Sequence, residues 1–148
     1  MDKERFKLIP AVHIILLRDG KVLMLRRFNT GWMDGRYSLI AGHFDGGETA
    51  RHAAAREAME EAAVRIDEED LEFAHVMHRH SDTERVDFFF VARKWSGEPR
   101  NAEPNKCDWM GWFPVGSMPD NTVPYIRLAL ENVEMGVKYS EFEWPLDQ

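Results

Sequence analysis

Residues 42–64, GHFDGGETARHAAAREAMEEAAV, constrain this chain more than any other stretch. After the Gly46-Gly47 pair no glycine or proline appears until well past Ala63, and alanine occupies positions 50, 53, 54, 55, 58, 62 and 63, so helix propensity is high from Glu48 onward. On that helix Glu57, Glu60 and Glu61 stand at i, i+3 and i+4 and project from one face within about one turn. Like charges at these spacings repel, the more so where water is excluded, and Arg56 alone cannot neutralise three carboxylates. An acidic run on a helix is usually just a solvated face. Here it is joined to a glycine turn, to Glu48 and to Arg56. Oxygen ligands on a rigid helix, with the rest of the shell left to water and phosphate, suit a hard divalent cation, Mg²⁺ or Mn²⁺, beside a phosphorylated substrate.

The spacing is Gly42, five residues, Glu48, seven residues, Arg56-Glu57, aliphatic Ala58, one free position, then Glu60-Glu61. It resembles the Nudix box. A chance match of six fixed residues in a chain of this length is on the order of one in a hundred thousand. The family pattern ends with a glycine where this chain has Ala63, a departure expected to extend the helix or shift its end by a residue. The resemblance implies a metal set of the Gly42 carbonyl with Glu57, Glu60 and Glu61, and a catalytic set of Glu48, Arg56, Glu57 and Glu60. In it Arg56 pairs with a glutamate, Glu48 being the candidate, because a guanidinium fork suits a carboxylate.

A chain of 148 residues with 44% hydrophobic content fits one domain over residues 1–148. Its net charge of -7 and lack of a basic stripe argue against nucleic acid as a partner. A small nucleotide can still enter an acidic pocket together with its metal ion. A single cysteine, Cys107, excludes an internal disulfide. No signal peptide or membrane span is read at the N-terminus, so the expected compartment is the cytoplasm and the expected state a monomer or homodimer.

In chain order, residues 6–18 and 21–27 read as a hairpin turning at Asp19-Gly20. Residues 28–36 read as a loop, where binding groups often sit, and residues 37–41 as a short strand. Trp32 is a candidate for base stacking, with the covered edge of a core as the alternative. Arg26 or Arg27 is a candidate phosphate contact, with Arg27 preferred, against a solvated pair. His43 and Asp45, in the box loop, are placed near substrate. Residues 71–79 and 84–95 read as two strands, the second buried on both faces around Phe88. His75, His78 and His80 are discounted as a zinc set, since a strand puts His75 on the opposite face and no cysteine completes it. Residues 96–108 read as a long excursion, from which Glu103 is a candidate extra ligand or base, with Asp108 and Glu84 as alternatives. A second helix follows, capped from Asn121 or Thr122 with Pro124 in its first turn; Asp120 and Asn121 are either that cap or contacts to a purine edge. The tail to residue 148 is expected to pack back without regular structure.

This order implies an α/β domain with a mixed sheet between helices, and the resemblance implies the Nudix α/β/α sandwich. The expected activity is metal-dependent hydrolysis of a nucleoside diphosphate linked to another group, with a free or modified nucleoside triphosphate as the favoured substrate. Enzymes of this family for ADP-sugars commonly carry a proline about fifteen residues beyond the box, and those for dinucleoside polyphosphates a tyrosine slightly farther. Residues 79–81 have neither. The alternatives are an ADP-ribose type nucleotide-sugar pyrophosphatase and a nonhydrolytic sensing module on the same fold.

Overall fold

The structure, a computed structural model, describes residues 3–143. The first strand, β1 (Ile9–Arg18), turns at Asp19 and Gly20, both with positive φ, into β2 (Lys21–Arg27). Such a two-residue turn matches the twist of the strands it joins, and Asp-Gly is among its preferred sequences. The hairpin is short-lived: β1 pairs with β2 only at Leu17 and Arg18, then separates. Farther toward its start, β1 is flanked by β4 (Ile40–His43), antiparallel, and by β6 (Glu84–Ala92), parallel. β2 meanwhile pairs with β3 (Tyr37–Ser38) and β7 (Cys107–Pro114). The strand expected over residues 37–41 is therefore two, broken at Leu39, because its halves join different neighbours.

The result is an open, mixed, eight-stranded sheet in the order β3-β2-β1-β6-β5-β8, with β4 on β1 and β7 on β2. β5 (Leu71–His80) is antiparallel to β6. One helix packs on each face. Val12, Ile14 and Leu16 of β1 face α1 (Ala50–Ala62), whose Ala53, Ala54, Ala58 and Ala62 are small enough to bring helix and sheet into close contact. Ile15 and, from β6, Phe89 and Val91 face α2 (Pro124–Glu134) through Ile126, Ala129 and Leu130. Alternation along β1 thus feeds both cores, which is how a central strand of a two-sided layer reads. Among the described residues no helix is long and apolar enough to cross a membrane.

Two expectations need correction. α2 is not capped by Asn121 or Thr122: its N-cap is Val123, with no side-chain cap, and the Thr122 hydroxyl donates back to Pro119 O at 2.7 Å. Nor is the tail irregular throughout, since Tyr139–Phe142 (β8) adds a parallel edge strand to β5. His75 anchors it, bonding Val137 O and the Ser140 hydroxyl, each at 2.7 Å. The rest of that expectation, over residues 144–148, falls outside the described residues.

α1 opens with the Thr49 hydroxyl accepting from His52 N–H and closes at Ala63, which adopts the left-handed conformation (φ 57, ψ 33). The departure at Ala63 therefore neither extends the helix nor shifts its end; alanine takes up the backbone shape for which glycine is best suited. That shape costs an L-residue about 1–2 kcal/mol, partly offset by alanine's smaller entropy loss on folding. We expect Ala63→Gly to raise stability by about 0.5–1 kcal/mol and Tm by roughly 1–4 °C, with kcat unchanged. A lower Tm in thermal melts would show that the Ala63 methyl contributes more packing than its conformation costs.

Candidate active site

Arg56 is the hub of the site. Its Nε and Nη2 form a fork onto Glu48, at 3.2 and 2.9 Å. Nη1 reaches Glu57 at 2.8 Å and Glu60 at 3.5 Å, and Nη2 also donates to His43 O at 3.3 Å. Asp45 approaches Nε at 3.3 Å, while its own N–H donates to Glu48 at 2.6 Å. The glycine turn and the helix are thus tied together by one cation. Hydrogen bonds and charge from Glu48 and Glu57 hold its guanidinium well above its ordinary pKa against the opposing pull of burial, and the hydrogen bonds of Arg56 and the Asp45 N–H hold Glu48 below the usual carboxylate range.

Glu57 meets this cation through one oxygen, and Glu61 lies beyond it. Burial pushes both carboxyls up, Glu61 well up, and the two side chains adjoin each other. Glu61 also accepts from Ala41 N–H at 3.2 Å. A Cβ on Gly42 would fall on the Glu57 carboxylate, so glycine leaves room for that carboxylate against β4. Among the described residues, no three His, Cys, Asp or Glu side chains converge as a ready-made metal cage. Arg56 draws Glu60 and one oxygen of Glu57 toward itself, and Glu61 is held by the Ala41 N–H.

These carboxylates form one wall of a cavity of about 860 Å³. Glu103 forms another part, and the structure separates it from its alternatives. Asp108 pairs with Arg26 at 2.7 Å and Glu84 with His78 at 3.3 Å, and neither lines the cavity. Glu103 does, because its loop is clipped to the end of α1: Arg100 and Ala102 N–H donate to the Ala62 and Glu61 carbonyls, at 3.0 and 3.1 Å. These are carbonyls that a helix end leaves without partners. Asn101 closes the loop, donating to Cys107 O at 2.6 Å and accepting from Glu103 N–H at 3.0 Å.

The lining also includes Trp32, Arg27 and His43. Asp34 accepts from Thr30 N–H, Gly31 N–H and the Thr30 hydroxyl, which shapes the 28–36 loop. Arg27 donates to Trp32 O at 2.7 Å and stacks its guanidinium over the Trp32 ring, 4.9 Å from the centroid. His43 Nε2 lies 3.2 Å from Arg85 Nη1. Asp120 and Asn121 are not among the walls; both are exposed, and Asn121 donates to Gly35 O at 2.8 Å, bracing the Trp32 loop from outside. The floor was not anticipated. It is a buried polar network of His13, Arg79 and Asp87 against Tyr125. Its signal in the sequence was a histidine and an aspartate at mid-strand positions of otherwise apolar runs, AVHIIL and VDFFF.

Comparison with known proteins agrees with this geometry: the family model described as NUDIX domain matches residues 7–132. The chain belongs to the Nudix family. It is an enzyme of the Nudix pyrophosphohydrolase type. Over 118 residues it is 28% identical to the 8-oxo-dGTP diphosphatase of Escherichia coli, covering 80% of this chain and 89% of that one. It is 29% identical over 121 residues to the NAD-capped RNA hydrolase NudC of Chromobacterium violaceum, but spans only 42% of that protein. Among solved structures it resembles a MutT Nudix hydrolase from Burkholderia pseudomallei, with a TM-score of 0.78, 26% identity, and coverage of 85% of this chain and 98% of the other. Nudix hydrolases generally work with divalent metal ions on small nucleotide substrates.

Proposed function

We propose that this Nudix enzyme is a metal-dependent hydrolase of a free or modified nucleoside triphosphate, acting at the wall formed by Glu57, Glu60, Glu61 and Glu103. The observation that carries the proposal is the packing of the Glu57 carboxylate on Gly42, which brings Glu57, Glu60 and Glu61 into the lining of a cavity that also includes Trp32, Tyr125, Arg27 and Arg85. The donor set fits Mg²⁺ or Mn²⁺: it is all oxygen, it carries more acid than Arg56 can balance, and burial raises the pKa of its Glu57-Glu61 pair, a cost that a cation would relieve. The Gly42 carbonyl, Glu57, Glu60 and Glu61 would hold the ion. When bound, it supplies charge neutralisation at the diphosphate and a more acidic water. Arg56, braced by Glu48, keeps Glu57 and Glu60 turned toward the cavity. Glu103 is positioned to accept a proton from a water facing the helix. Arg27 supplies positive charge and Trp32 a stacking face, while His43 stands at the box loop.

Support for a triphosphate comes from the diphosphatase relative that this chain matches along nearly its whole length. The expected result with magnesium is a higher kcat/KM for a nucleoside triphosphate than for ADP-ribose when the nucleotide product of each is quantified side by side by chromatography. Trp32→Ala should raise KM more than it lowers kcat, because stacking contributes alike in ground and transition states. A clear preference for ADP-ribose would overturn the substrate assignment and leave the reaction type standing.

A further inference from the structure

Among the described residues, two buried side-chain nitrogens have no hydrogen-bond partner, His13 Nδ1 and Arg85 Nε, and both residues line the cavity. The Arg85 side chain is about a fifth exposed and tethered to an exposed Asp82, so it can turn toward water. His13 cannot. Its side chain is 2% exposed, stacked on Phe89 at 4.5 Å between centroids, and set edge-on to Tyr125 at 5.6 Å.

The ring's orientation is fixed by Asp87, whose Oδ1 lies 3.0 Å from His13 Nε2. Burial pushes the Asp87 acid up, but hydrogen bonds from His13 and Arg79 and the charge of Arg79 outweigh it and hold it below the usual carboxylate range. Asp87 is therefore an acceptor only, and Nε2 carries the proton. In the neutral ring that leaves Nδ1 as a lone pair. Arg79 cannot satisfy it, since its Nε and Nη2 are both on Asp87, at 2.9 and 3.4 Å, and its guanidinium lies on the Tyr125 ring. A buried acceptor held rigid on a cavity floor without a donor is costly, and native proteins keep few of them.

We propose that His13 Nδ1 accepts a hydrogen bond from an exocyclic amino group of the substrate's base, the donor that projects farthest from a base edge, and so makes His13 a specificity-determining residue. This rests on the nucleotide reading above. A base without that amino group would leave the acceptor buried and unpaired in the complex, at a cost of roughly ten- to a hundredfold in affinity.

The test is binding, which does not depend on turnover. Calorimetry in EDTA would compare nucleoside monophosphates differing by one amino group: guanosine with inosine, adenosine with purine riboside, and cytidine with its 4-deamino analogue. We expect the parent protein to bind the amino member at least about tenfold tighter in one pair. His13→Gln, whose amide can still donate to Asp87 but puts no acceptor at the Nδ1 position, should bring that pair within roughly threefold. Nitrogen NMR of the parent protein needs no variant: the His13 Nδ1 signal should move on adding the amino member and stay when its analogue is added. Equal binding within every pair, discrimination that survives His13→Gln, or an unmoved Nδ1 signal overturns this proposal alone. Failure of all six to bind overturns the nucleotide reading with it.

Discussion

Glu60→Gln is expected to lower kcat at least about a hundredfold while leaving Tm within a degree or two, as when a metal ligand or preorganised charge is lost without a change of shape. The structure explains why the two effects separate. The Glu60 side chain is 49% exposed, and its one contact to Arg56 is long, at 3.5 Å, so folding draws little from it. On this account its charge serves the reaction. Turnover under magnesium and a thermal melt, run on the same preparation, check both halves. Parent-rate turnover of any substrate would remove Glu60 from the metal site.

Arg56→Ala should damage both stability and activity. The Arg56 side chain is 21% exposed, and Glu48 and Glu57, its nearest partners, are about 10% exposed or less. Deleting it leaves those carboxylates largely buried with their cation gone, a change of about 3 kcal/mol, or roughly 6–12 °C in Tm for a domain of this size. It also unties the glycine turn from the helix, because Glu48, Asp45 and the His43 carbonyl all meet on this one guanidinium. Metal affinity should fall with it. Unchanged melting together with parent-like magnesium affinity would rule out the bracing role.

The helix and its carboxylates were legible because they are local. Spacing put Glu57, Glu60 and Glu61 on one helix, the resemblance to the Nudix box offered Glu48 as the partner of Arg56, and the structure has both. The same holds for the Asp19-Gly20 turn and the bounds of β2. What was not legible depends on partners distant in sequence. β8 exists because residues 139–142 find the free edge of β5, and no periodicity within so short a segment announces that. The break at Leu39 follows from β3 and β4 choosing different neighbours. Glu103, Asp108 and Glu84 were equivalent as letters; the hydrogen bonds of Arg100 and Ala102 to the end of α1 distinguish them. At Ala63, the demand of the fold for a left-handed residue overrode alanine's preference for the helix.

The central claim is that the cavity's carboxylate wall holds a divalent cation. Titrating Mn²⁺ into the parent protein and into a Glu57→Gln/Glu61→Gln double variant, followed by the loss of the free-ion paramagnetic resonance signal, tests it most directly. Glutamine keeps the shape of these side chains and can hydrogen-bond across the pair, so the variant should stay folded. The account predicts saturable Mn²⁺ binding by the parent protein, weakened at least about tenfold in the variant. Equal Mn²⁺ affinity in a folded variant would contradict it.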